Sequence, residues 1–375
     1  MKIIKSIVFL FLLTTSCISK NESIKGLWLD SDFTKPYIIK FTDSLFSDNF
    51  FAFDSIPYSI NSDTIFIVGH YDTCPEKIIF HIISDTLWLT SNNENIQTER
   101  KYLRAKSKHY FSDIKNYIGI ELNLPLGSSN KIDNNNCYSI YLPKQITSNG
   151  EYKIILNNER LPLDSLLHEK LFDLRKDNEL AQLNTYALYI DSETKYNTVK
   201  LLKTELRKAG FYRIAYICDP SKEKYYQSLI GIKRKLLPIF EKEKYYINPS
   251  VRKFLDSTKL PTPPKEFFEK PDFKKPNVCK VEIIENEVFL NDSIFDSTKF
   301  YEKLQNNNSL LTYLYIDNES DYQTYINFIS EYDSLNQKIR NKKSIELYQT
   351  EYNKLIDNEK IKNIGHLTIN RLIEK

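Results

Sequence analysis

The stretches Leu188–Tyr196, "LYIDSETKY", and Leu314–Tyr322, "LYIDNESDY", decide how this chain is read. Each runs Leu-Tyr-Ile-Asp, a small polar residue, Glu, a hydroxyl residue, one variable position and Tyr. Asp191 and Asp317 lie 126 residues apart. The apolar run before each Asp reads as a buried strand. The Tyr behind it opens a helical stripe: Tyr196, Val199, Leu202 and Leu206 in the first copy, Tyr322, Ile326, Ile329 and Leu335 in the second. Lys200, Lys203, Arg207 and Lys208 fall on the remaining, polar face, and Gly210 is a helix stop. The junction is therefore expected to be a strand-to-helix turn. Asp191 or Ser192, and Asp317 or Asn318, are placed to cap the helix amino terminus with a side-chain oxygen. Glu193 and Glu319 would sit in the first turn, where the helix dipole favours negative charge. Tyr196 and Tyr322 begin the buried face. The positions that differ, Lys195 against Asp321 and Ser192 against Asn318, are expected in solvent.

A catalytic reading of the same carboxylates needs convergent partners. His70, His81, His109, His168 and His366 show no ligand spacing, and no phosphate-binding Gly-rich loop or nucleophile elbow is present. The expectation is a protein without a catalytic site, metal or cofactor.

The same plan surrounds both stretches. In residues 106–256, "IGIELNLP" and "YSIYLP" are strand-like, Asn149-Gly150 marks a hairpin, and Leu163–Leu174 reads as helix. With Tyr186–Ile190, the helix after Tyr196 and a strand at Phe211–Cys218, the order is β-β-α-β-α-β. Residues 257–278 carry Pro261, Pro263, Pro264, Pro271 and Pro276 and read as an extended linker. Residues 279–375 repeat the plan through the hairpin "CKVEIIENEVFLND", a helix at Ser297–Leu304 and the strand Tyr313–Ile316. Leu290-Asn291-Asp292 matches Leu156-Asn157-Asn158. A polar helical tail, residues 341–375, follows, with no evident final strand.

Residues 25–105 differ in kind. Short alternating runs such as "TIFI" and "TLWLT", separated by turn-prone Ser-Asp, indicate an antiparallel β-barrel or sandwich. At the amino terminus, Lys2 and Lys5 precede an apolar run, Ile7–Leu13, and then Thr14, Thr15, Ser16 and Cys17. This has the shape of a signal peptide over residues 1–16, too short to span a bilayer. Residues 17–24 then form a polar tether. The remaining 50 basic and 49 acidic side chains nearly cancel, which gives no electrostatic case for nucleic acid. Cys74, Cys137, Cys218 and Cys279 are scattered and read as buried free thiols in preference to disulfides, which an exported chain with an even number of cysteines permits.

Three resemblances add to this. Small residues ahead of Cys17 resemble the lipobox of bacterial lipoproteins, with Thr14 where Leu is usual. That implies acylation of Cys17, a membrane attachment through lipid and a place in the cell envelope, at the outer membrane, on a face left open. Gly26-Leu27-Trp28, with the closing "RKYLR" of Arg100–Arg104, resembles lipocalin-like domains, in which the Trp plugs the closed end of the barrel. Both repeats resemble the periplasmic domain of the ExbD/TolR biopolymer-transport family, through "LNLP", "ILNNERLPL", "LYIDSETKY" and "ELRKAGFYRIAYI" in the first copy, and "VFLND" and "LYIDNESDY" in the second. The tail "YINFISEYDSLNQKIRNKKSIELY" is similar to the extended version in Bacteroidota members. Members of that family carry an uncleaved transmembrane helix with an acidic residue; this leader has none, so proton coupling is not expected.

The expected architecture is a mainly β barrel followed by two α+β modules. The expected function is an envelope lipoprotein interacting with envelope proteins or peptidoglycan, its two modules candidates to pack on each other. The alternative is a lipoprotein holding a small apolar ligand in the barrel.

Overall fold

The computed structural model describes residues 24–34, 37–48, 56–67, 76–93, 96–107, 110–127, 130–132, 137–144, 152–156, 158–176, 184–219, 229–236, 270–307, 309–368 and 370–375. The leader, Cys17, Cys74, the Asn149-Gly150 turn and the linker through residue 269 lie outside the described residues. Two compact units are formed. One holds the barrel, a following helix and residues 137–139; the other holds both repeats.

The first unit is a closed eight-stranded antiparallel barrel: β1 (Gly26–Asp30), β2 (Ile38–Phe41), β3 (Leu45–Asp48), β4 (Ile56–Asn61), β5 (Thr64–Ile67), β6 (Glu76–Ile83), β7 (Thr86–Asn93) and β8 (Ile96–Arg104). Helix α1 (Tyr110–Ile118) follows. The Ser-Asp pairs form the two-residue turns: Ser62 and Ser84 take φ of 58° and 53° between the pairs Asn61–Thr64 and Ile83–Thr86. Closure comes from β1 against β8, with Trp28 opposite Arg104. Trp28 is fully buried, its indole N–H donating to Ile24 O at 2.7 Å. The Arg104 guanidinium lies 4.1 Å from the centre of the Trp28 ring and donates to Lys25 O. Gly26, at φ +125°, makes the turn into β1 that other residues rarely adopt. Ile24, read from sequence as tether, is fully buried in the barrel core. Trp28, Phe41, Phe80, Leu87 and Tyr102 fill that core.

Beyond the barrel the chain forms two sheets. The first copy supplies β9 (Asn130–Ile132), β10 (Cys137–Leu142), β11 (Lys153–Leu156), β12 (Glu159–Pro162), α2 (Leu167–Lys176), β13 (Thr185–Ile190), α3 (Tyr196–Lys208), β14 (Arg213–Ile217) and β15 (Leu229–Lys235), in the sheet order β12-β11-β10-β13-β14-β15-β9. The second supplies β16 (Val278–Ile284), β17 (Glu287–Leu290), β18 (Ser293–Ile294), α4 (Ser297–Asn306), β19 (Leu311–Ile316), α5 (Tyr322–Tyr348), α6 (Asn358–Leu367) and β20 (Arg371–Glu374), in the order β18-β17-β16-β19-β20. The two orders are the same over five strands, and β13 and β19 occupy ranges 126 residues apart.

A final strand does exist in the second copy, against the sequence reading. β20 pairs in parallel with β19, as β14 does with β13. The register opposes Leu188 to Tyr216 and Leu314 to Glu374, so "RIAYI" and "RLIEK" are equivalent. Only four paired residues, placed after α5 and α6, form this strand; the pairing is non-local and leaves little periodicity to read. In the first copy β15 adds to β14, and Gly231 permits the close approach, since a Cβ there would lie 2.2 Å from Tyr216 O. Cys137, Cys218 and Cys279 are buried free thiols, and burial pushes Cys218 up to about 12.

Candidate interaction site at the junction of the two copies

The repeated stretches meet each other. Tyr196 N donates to Ser320 O at 2.9 Å, and Tyr322 N to Thr194 O at 2.8 Å. Asn197 N donates to Asn318 O at 3.2 Å, and Gln323 N to Ser192 O at 2.9 Å. Each bond becomes its counterpart when the two copies are exchanged. Lys195 and Asp321 form the antiparallel bridge at the centre, with Lys195 Nζ 2.8 Å from Asp321 Oδ1. This is the pattern of an isologous two-fold interface, closed within one chain.

The seam explains how the helices begin, and it corrects the expected caps. The N-cap residues are Lys195 and Asp321, and neither makes a side-chain cap. The first N–H groups of a helix have no partner inside it. Here those of Tyr196, Asn197, Tyr322 and Gln323 are taken by backbone carbonyls of the other copy. Asp191 and Asp317 instead tie the strand ends down. Asp191 accepts from Glu193 N and Asn123 N; Asp317 accepts from Glu319 N and Glu285 N. Burial would raise Asp317, but its hydrogen bonds outweigh that and hold it below the usual carboxylate range. Glu193 and Glu319 precede the first turn of each helix, and Glu193 pairs with Lys144. Asn318 is exposed, as expected, and gives the seam only its carbonyl; Ser192, Lys195 and Asp321 are half-buried, because the seam covers them. The reason is that the preference for caps is local, whereas the carbonyls that replace them arrive from a segment 126 residues away.

Tyr196 and Tyr322 do open buried faces, and they lead to a cluster under the seam. Ring centres of Tyr196 and Tyr325 are 5.1 Å apart, those of Tyr216 and Tyr325 5.6 Å, and those of Tyr216 and Tyr322 5.9 Å. Lys203, read from sequence on the polar face, is buried. Its ammonium stands over the Tyr196 and Tyr325 rings and pairs with Glu374. Tyr325 Oη donates to the other oxygen of Glu374 at 2.6 Å, and the Tyr196 hydroxyl lies 3.3 Å from Glu374 Oε2. Burial alone would raise Glu374; the Lys203 charge and the hydrogen bonds outweigh it and hold the carboxyl below its usual range. Burial opposes the Lys203 charge as well, yet Glu374 lifts Lys203 well above the ordinary lysine value. The pair is ionised. The tyrosines are pushed up by burial and stay protonated donors.

Lys203, Tyr325 and Glu374 carry no sequence signal of this role. Lys203 looks like any lysine on an amphipathic helix, and Glu374 lies 171 residues beyond it. Their arrangement breaks the exchange symmetry. Residues 126 apart make Lys203 equivalent to Ile329, and strand register makes Tyr216 equivalent to Glu374. A first copy paired with another first copy would oppose Lys195 to Lys195; two second copies would oppose Asp321 to Asp321. Only the mixed pairing matches the charges.

Further contacts lock the mixed pair. Arg234 of β15 makes two hydrogen bonds to Asp333 of α5, both at 3.0 Å. The Gln323 side chain both donates to and accepts from the Leu126 backbone, each at 2.9 Å. Among the described residues no group of His, Cys, Asp and Glu is placed to hold a metal, and no helix is long and apolar enough to cross a membrane.

No family model matches the chain, and no curated protein or solved structure is significantly similar to it.

Proposed function

We propose that the chain is a non-catalytic cell-envelope lipoprotein, held by lipid on Cys17 and acting as an interaction module for envelope proteins or peptidoglycan. In this reading the two modules are relatives of ExbD/TolR periplasmic domains, and the barrel is a lipocalin-like spacer. The observation that carries it is the seam: a duplicated module whose copies cap each other's helices and share a buried core is an interaction fold paired with itself. The matching five-strand order in both copies supports the relation. A leader without an acidic residue argues for interaction without proton coupling. The side chains filling the barrel favour a spacer over a ligand carrier.

The test has two arms. Palmitate labelling and membrane fractionation of the full chain should be positive, and both should be lost in Cys17→Ser. Co-sedimentation with purified sacculi, or cross-linking in the intact envelope, should then capture peptidoglycan or an envelope protein. A chain that stays soluble and captures neither would overturn the reading.

A further inference from the structure

Two clefts of the second unit both have Arg234 and Leu372 in their walls. The larger, about 910 Å³, is lined among others by Arg234 of β15, Tyr332, Asn336 and Arg340 of α5, and Leu372 of β20. The smaller, about 230 Å³, is lined by Tyr196, Lys200, Lys203 and Arg207 of α3, with Leu372 and Glu374. The larger part has the volume of a ligand site, and its walls mix polar and apolar groups.

The two parts differ in charge. In the larger one Arg234 is already matched by Asp333. The Tyr332 hydroxyl and Arg340 Nε are buried there without hydrogen-bond partners, and Tyr332 is only 6% exposed. A buried donor left unpaired is destabilising, so an acceptor reaching these groups is stabilised. At the smaller end Lys200, Lys203 and Arg207 share one face of α3. Lys203 is matched by Glu374. Lys200 and Arg207 have no carboxylate partner among the described residues, and Arg207 Nε is buried without any hydrogen-bond partner.

Spare donors at the larger cleft therefore neighbour spare positive charge at the smaller one. We propose that the two clefts act as one groove that binds an extended peptide by its carboxyl end. The terminal carboxylate lies between Lys200 and Arg207, and backbone carbonyls accept from Tyr332 and Arg340. The inference deepens the interaction reading above by naming a ligand chemistry.

The test uses the full chain and a fluorescein-labelled Gly-Ser-Ala-Ser-Ala peptide, as the free acid and as the carboxyl-terminal amide. Fluorescence anisotropy should show the acid binding, and the amide at least roughly tenfold more weakly. Arg207→Ala should remove that preference while leaving amide binding unchanged. Lys200→Gln, at an exposed position where folding is not at stake, should reduce it in the same direction. Tyr332→Phe keeps the ring and should weaken acid and amide alike by severalfold. No binding of either peptide at millimolar concentration overturns the proposal. So does equal binding of acid and amide, or a preference that survives loss of both Lys200 and Arg207. Capture of a partner or of sacculi without peptide binding would overturn the groove and leave the interaction reading standing.

Discussion

Lys195 and Asp321 occupy the same position in two copies of one module and form an ion pair with each other, 2.8 Å apart. A two-fold interface normally opposes a residue to itself at its axis. Here divergence has placed opposite charges at that point. With the buried Lys203–Glu374 pair, this makes the first copy complementary to the second and not to itself.

The central pair should behave as a charge-exchange cycle. Asp321→Lys opposes two lysines and should destabilise by about 1 kcal/mol or less, because both side chains are partly exposed. Lys195→Asp should cost a similar amount. The double exchange should recover most of the loss in urea unfolding. Two independent, additive losses would show that the bridge carries no pairing information.

The buried pair should cost more to break. Glu374→Gln leaves Lys203 charged and uncompensated among tyrosine rings, and should destabilise by about 3 kcal/mol or more. Lys203→Met combined with Glu374→Leu should recover much of that. The pH dependence has two limbs. Glu374 is held low in the folded chain, so its contribution is complete above the unfolded value of about 4.3 and fades as pH falls through the folded value. Lys203 is held high, so its contribution is complete below about 10.4 and fades only as pH rises through its raised folded value. Melting temperatures of the parent and Glu374→Gln should therefore differ most at neutral pH and converge under acid.

The barrel should depend on the buried Trp28. Trp28→Ala removes a fully buried indole and should cost about 3–5 kcal/mol in the barrel transition. Arg104→Lys keeps the charge, weakens the stacking on Trp28 and should cost about 1 kcal/mol. Tryptophan fluorescence follows both. A Trp28→Ala barrel that unfolds at the parent denaturant concentration would show that Trp28 does not hold the barrel core together.

Two glycines should respond in opposite directions. A Cβ on Gly231 would lie 2.2 Å from the Tyr216 carbonyl oxygen, so Gly231→Ala should part β15 from β14 and cost about 2 kcal/mol or more. Nothing lies within 4 Å of a Cβ on Gly365, inside α6, so Gly365→Ala should stabilise by ~0.5–1 kcal/mol. Denaturant melts of both variants against the parent decide this.

Local chemistry made the barrel strands and the duplication legible. Alternation over two residues marks β5 and β7, Ser-Asp pairs mark the turns, and Leu-Tyr-Ile-Asp marks the same strand end twice. Tyr196 and Tyr322 were readable as buried because each begins a stripe of 3.6 periodicity. Lys203 was misread by the same rule, since period sorts residues onto faces and cannot say that a second module covers the polar one. The caps were misread because a helix terminus requires acceptors without specifying their source.

The sequence by itself determined a module that occurs twice, since strand, turn and helix preferences act over a few residues. Only the tertiary structure decided that the two copies meet at the repeated stretch, that each caps the other's helix, and that Glu374 rests on Lys203. Those contacts join segments 126 and 171 residues apart, and only the packed chain brings them together.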